Sequence, residues 1–203
     1  MHNLEQLRSG ALAGTRRLDL SCGLRTLPPE VFELADTLEV LNLSGNQLTN
    51  LPQDLPRLHR LKVIFCSDNP FSRLPEVLGD CAALQVVGFK ACRITDVPGA
   101  AMPLALRWLI LTDNAIRSLP PELGQRPALQ KLMLAGNQLR SLPSSLANAQ
   151  RLELIVSAPA TTVDQCAVSP TKSVTRRFQG SSASTASALL AAGKSRSTRR
   201  SQV

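Results

Sequence analysis

One pattern recurs along this chain at nearly fixed spacing, and it restricts the fold more than any other feature. Aligned on Leu-x-x-Leu-x-Leu-x-x-Asn-x-Leu-x-x-Leu-Pro, a full unit reads Leu38, Leu41, Leu43, Asn46, Leu48, Leu51 and Pro52. Four more units follow, beginning at Leu61, Leu84, Leu106 and Leu129, and a first unit carries Leu18, Leu20, Leu24, Leu27 and Pro28 with one residue fewer around Cys22. From the second unit, at Leu38, to the start of a seventh at Leu152, the starts are 23, 23, 22, 23 and 23 residues apart. Self-similarity at such a period means stacked supersecondary units, because one unit of this size cannot enclose its own leucines.

Each position has a physical assignment. The second and third leucines (Leu41 and Leu43) alternate inward on a short strand of period two. The residues flanking them face outward on the other side of the sheet. Asn46, Asn69, Asn114 and Asn137 fall where the chain leaves the strand, and an amide can satisfy backbone groups that would otherwise be buried unpaired. Cys22 and Cys92 stand in the Asn position of the first and fourth units. Leu-Pro then ends the pairing, since proline has no N–H and forces its predecessor to be extended. Apolar residues three past the proline (Val31, Leu55, Leu78, Leu123, Leu146) roof the opposite side.

This is the pattern of a leucine-rich-repeat array. It predicts an α/β solenoid, or horseshoe, with a parallel concave sheet. The expected organisation is a short N-terminal cap helix within residues 1–14, repeats over 15–156 comprising six units and a broken seventh, and a tail over 157–203. Asn3 is placed to cap a helix carrying Leu4 and Leu7 on one face. The seventh unit begins at Leu152 and Ile155 and then loses the pattern. In residues 157–203, 16 of 47 are Ser or Thr, so this Ser/Thr/Arg-rich segment has too few large apolar residues to offset its chain entropy and is expected to be disordered. A repeat array running mid-unit into such a tail reads as a truncation or a change of reading frame.

Charge follows the same division. The net charge is +8 overall. Residues 1–155 hold 16 Lys and Arg against 14 Asp and Glu, whereas 156–203 hold seven against the single Asp164. The basic excess therefore lies largely in the tail, which argues against a nucleic-acid-binding folded face. With 3% aromatic residues, base-stacking platforms are also excluded. No apolar run is long enough to span a membrane and no signal peptide is evident, so a cytoplasmic location is expected.

The strings LDLSCGL, FCSDN, ALRWLILTDN and PALQKLMLAGN within LPxxL repeats carry a closer resemblance. Over about residues 1–155 the chain resembles the N-terminal half of bacterial leucine-rich-repeat protein kinases, cytoplasmic proteins in which repeats precede a Ser/Thr kinase-like domain. The resemblance implies ATP binding and phosphotransfer for the missing half alone. This chain has no Gly-x-Gly-x-x-Gly loop, His-Arg-Asp or Asp-Phe-Gly. Ala191-Ala192-Gly193-Lys194-Ser195 mimics the end of a phosphate loop, but Ala188 stands where the first glycine is needed. A secreted effector with ubiquitin-ligase activity fits less well, because those arrays use shorter units and a separate catalytic cysteine domain.

No catalytic, cofactor-binding or metal site is expected. The five cysteines show no Cys-x-x-Cys or Cys/His ligand spacing and read as reduced, mostly buried thiols. His2 is terminal and His59 is a loop residue. Asp68 and Asp113, at one position of units three and five, read as turn residues. The concave face is more informative: Val63, Phe65, Val86, Trp108, Ile110 and Met133 point outward on four successive strands, where a solvated sheet shows polar residues. Contiguity around the single Trp implies a surface for a protein partner. The uncapped C-terminal end adds a route to self-association.

Overall fold

The computed structural model describes residues 2–156; the expectations for the Ser/Thr-rich segment and for the Gly193-Lys194-Ser195 string lie outside the described residues. Seven three-residue strands form one parallel sheet in chain order: β1 (Arg17–Asp19), β2 (Val40–Asn42), β3 (Val63–Phe65), β4 (Val86–Gly88), β5 (Trp108–Ile110), β6 (Lys131–Met133) and β7 (Leu154–Val156). Register is set by the repeat itself, Leu41 lying against Ile64, Ile64 against Val87, Val87 against Leu109 and Leu109 against Leu132. The chain is thus a leucine-rich-repeat solenoid.

The return path is helical only in short pieces. Convex 3-10 turns span Pro29–Leu34, Leu55–Arg57, Glu76–Asp80, Gly99–Ala101, Pro121–Gln125 and Ser144–Asn148. Five of them follow a proline in extended conformation, with φ between −61° and −72° and ψ between 127° and 145°. The ring presets φ, and the missing N–H is no loss where the strand ladder has ended. Each turn drives at least one apolar residue into the core: Val31, Leu55, Leu78, Ala101 and Leu123 have no exposed surface, and Leu146 retains 8%.

The core runs the length of the stack, with Phe71 and Phe89 meeting edge-to-face at 5.0 Å. At the N-terminal end, Asn3 caps an α-helix, α1 (Leu4–Arg8), through a reciprocal box in which Gln6 N–H donates to Asn3 and Asn3 N–H donates to Gln6. Leu7 and Leu12 are buried beneath it. His2 does more than end the chain. It bridges Leu20 in parallel, donates its N–H to Asp19 O at 2.9 Å, and accepts the Asp19 N–H on Nδ1 at 3.2 Å. One edge of the sheet is thereby covered.

The asparagine ladder has the donor and acceptor pattern its position demands. Asn114 Oδ1 accepts from Cys92 N–H (3.1 Å) and Ile94 N–H (2.9 Å), while Nδ2 donates to Phe89 O (2.7 Å), Leu111 O (2.9 Å) and Thr112 O (3.3 Å). Asn46, Asn69 and Asn137 repeat the motif. At Cys92 the ladder changes. Its thiol donates to Cys66 O (3.2 Å) and Lys90 O (3.3 Å), and the Phe71 N–H turns back to Asn69 O at 2.9 Å. A thiol is a poor acceptor, so the preceding unit satisfies that donor itself.

Of the described cysteines, Cys66, Cys81 and Cys92 are free and buried, as expected, and Cys22 is the exception. It is exposed, and only its backbone contributes, donating N–H to Asn46 Oδ1 at 3.1 Å. The missing residue in the first unit is the cause: the turn closes through Gly23 at φ +71°, leaving Cys22 outside. The residue before each ladder position is left-handed in units two to six (Gly45, Asp68, Ala91, Asp113, Gly136). Asp68 and Asp113 therefore occupy turn positions, at φ +56° and +58°.

Candidate functional site

Two rows of side chains cross the concave face, one on either side of the buried strand leucines. The register runs the first through Arg17, Val40, Val63, Val86, Trp108, Lys131 and Leu154. The second runs through Asp19, Asn42, Phe65, Gly88, Ile110, Met133 and Val156. All six residues singled out from the sequence, Val63, Phe65, Val86, Trp108, Ile110 and Met133, lie in these rows and are half-buried. Neighbouring strands are about 4.8 Å apart, so the patch from β3 to β6 is roughly 15 Å wide.

The two ends of the face differ in chemistry. On β1 and β2 the surface is polar and internally satisfied: Arg17 grips Asp19 through Nε (2.7 Å) and Nη2 (2.9 Å), and Asn42 Nδ2 donates to Asp19 Oδ1 at 2.9 Å. The Arg17 guanidinium holds the Asp19 carboxyl below the usual carboxylate range, against its partial burial. From β3 onward the rows are apolar except at Lys131. Gly88 leaves no gap there, because the Phe65 ring lies over it where a Cβ would stand, and Gly88 is buried. Lys131 Nζ sits 4.3 Å from the centre of the Trp108 ring. That cation–π contact orients the indole across the middle of the patch.

The sequence did not reveal Lys131 as part of this surface; its place opposite Trp108 follows from strand register. Nor did it reveal Leu154 and Val156, which continue the two rows onto β7. The described thiols other than Cys22 belong to the core. Burial pushes the Cys66 thiol well up, and the Cys81 and Cys92 thiols to about 11. His59 is exposed near Asp36, 3.5 Å away. Among the described residues no group of three His, Cys, Asp or Glu side chains could hold a metal.

A parallel sheet, a core of repeated leucines, an asparagine ladder and a concave surface define a leucine-rich-repeat domain, a class whose curved faces commonly bind proteins. The Leucine Rich Repeat family model matches residues 37–58 and 128–149. Among curated proteins, the chain is 32% identical over 120 residues to the probable inactive serine/threonine-protein kinase roco10 of Dictyostelium discoideum, covering 56% of this chain and 4% of that one. It is 35% identical over 122 residues to the transforming growth factor beta activator LRRC32 of Pongo abelii, covering 57% and 18%. The chain thus spans less than a fifth of these relatives. Among solved structures, the leucine-rich repeat domain of the type III effector XopL superposes with TM-score 0.67 at 23% identity, covering 75% of this chain and 55% of that one. The Drosophila Toll–Spatzle complex gives 0.61 at 27% identity, covering 69% and 20%. Among the described residues no helix is long and apolar enough to cross a membrane.

Proposed function

We propose that residues 15–156, shielded at one end by residues 1–14, form a non-catalytic module that binds a protein partner through the concave face. The observation that carries this reading is the run of apolar side chains on four successive strands, β3 to β6, made by Val63, Phe65, Val86, Trp108, Ile110 and Met133. Apolar side chains that merely pack sideways do not need to be contiguous over four strands. A large ring at the centre of such a patch is the type of side chain that dominates binding energy elsewhere. The module acts in the cytoplasm, and the β7 end supplies a weaker surface for self-association.

Affinity capture with the full chain, comparing wild type with Trp108→Ala, tests this. Partners retained by wild type and lost by the variant support the reading, provided that the variant melts close to wild type. Equal capture by both proteins refutes it.

A second reading concerns the longer protein. The strings quoted above and the 32% identity to a probable inactive kinase favour a repeat segment that accompanies a kinase-like domain. The downstream DNA, read in all frames, tests it through the presence of Gly-x-Gly-x-x-Gly, His-Arg-Asp and Asp-Phe-Gly motifs.

A further inference from the structure

Charge is distributed unequally along the stack, and its basic part holds β4 to β6 of the apolar surface. Residues 2–85 carry eight Lys and Arg against ten Asp and Glu. Residues 86–156 carry eight against four, and 157–203 carry seven against one. Net charge thus passes from −2 to +4 to +6 along the chain.

Pairing sharpens the contrast. In the first segment Arg8, Arg17, Arg57, Lys62 and Arg73 each meet a carboxylate, the first four at 2.7 to 3.5 Å. In the second, among the described residues, only Lys90 does so, 3.7 Å from Asp113. Arg73 also takes Asp96, at 3.2 Å, removing one of the four acids there. Arg107 sits at the concave rim one residue before Trp108, with Gln130 Oε1 as its partner at 3.1 Å. Lys131 lies over the indole. Arg93, Arg117 and Arg140 are exposed where the chain leaves the sheet. Glu153 is the opposing acid on the rim, two strands from Arg107 and about 10 Å away.

We propose that the concave face of units four to six receives an acidic segment of another protein, with apolar side chains seated on Val86, Trp108, Ile110 and Met133 and carboxylates facing Arg107 and Lys131. This rests on the concave-face reading above and names the chemistry of the partner. Unpaired cations around an apolar floor impose a desolvation cost on a neutral occupant and attract an anionic one. The chain's own segment after residue 156 has the same sign as the site and is disfavoured as the occupant. A nucleic acid would match the charge but not the floor, which offers aliphatic rows and one indole with a lysine on its face rather than a series of stacking rings.

The test selects a random dodecapeptide display library on the full chain, with Trp108→Ala as counter-selection, and measures recovered peptides by fluorescence anisotropy. The result expected is Trp108-dependent peptides enriched in Asp and Glu together with Leu, Ile or Phe. Their affinity falls roughly tenfold between about 50 and about 300 mM salt, and roughly tenfold again in Arg107→Glu/Lys131→Glu. The matched Arg107→Gln/Lys131→Gln variant, with an unchanged melting temperature, gives an intermediate loss. Trp108-dependent peptides without acidic enrichment and indifferent to charge reversal overturn the proposal and leave concave-face binding standing. Absence of any Trp108-dependent peptide overturns both. Tighter binding of a thymidine dodecanucleotide than of any selected peptide overturns the proposal in favour of nucleic acid.

Discussion

Replacing Asn114 with alanine removes the most heavily used side chain of the ladder. Its amide makes five hydrogen bonds of 2.7 to 3.3 Å, four of them buried. The Cys92 and Ile94 N–H groups then face a cavity, as do the Phe89 and Leu111 carbonyls. A buried group left without a partner costs about 1–3 kcal/mol, donors more reliably than carbonyls with a second lone pair. Two orphaned donors and two weakened carbonyls give a loss of about 4 kcal/mol, offset in part where water enters from the exposed Asp113 side. Cys92→Ala at the equivalent position is the control. Its single S–H is shared weakly between two carbonyls, and Phe71 N–H does not depend on it, being satisfied by Asn69 O, so about 1 kcal/mol is expected. Urea unfolding followed by fluorescence of Trp108, the sole tryptophan and part of the same unit as Asn114, reads both variants. If Asn114→Ala costs no more than Cys92→Ala, the ladder is not what holds successive turns together.

Four other outcomes follow from the geometry. Trp108→Ala should lower the melting temperature less than Leu109→Ala, since Trp108 is half-buried on the concave face and Leu109 is 1% exposed in the core; equal losses in a thermal melt place Trp108 in the core instead. Gly79→Ala should destabilise by more than about 2 kcal/mol in urea titrations, because its Cβ meets the Ala100 carbonyl of the next turn, whereas Gly88→Ala meets a side chain, the Phe65 ring, which can turn toward solvent, and should cost less than Gly79→Ala. Cys81 and Cys92 keep their protons to about pH 11 when folded, against an ordinary value of 9.0, so the unfolded chain releases protons first and stability should fall as pH rises from about 9 to 11; a midpoint that rises with pH over that window contradicts this. Hydrogen exchange should find unit six and Leu154–Val156 less protected than units two to four, because Leu142 is 38% exposed and β7 is half-buried throughout; equal protection means that the end is covered.

The solenoid was legible in the sequence because every strand, turn and roof residue is dictated by a local, repeated requirement. Leu41 must face inward if Leu43 does, Asn46 must sit where the chain leaves the strand, and Pro52 must end the pairing. The outward places of Val63, Phe65, Val86, Trp108, Ile110 and Met133 follow from the same alternation. The repeat also sets which strand positions lie side by side, but not how their side chains settle on one another, since that depends on rotamers and on the space between strands. Only the folded chain lays the Phe65 ring over Gly88, sets Lys131 on Trp108 and joins Leu154 and Val156 to the apolar rows. It also decided the fates of two residues at the first unit. One missing residue turns Cys22 out to solvent, and His2 lies close enough to β1 to pair with it. A repeat encodes its own interior, because burial there is the same problem in each unit; its surface chemistry arises between units, where only three-dimensional stacking brings the residues together.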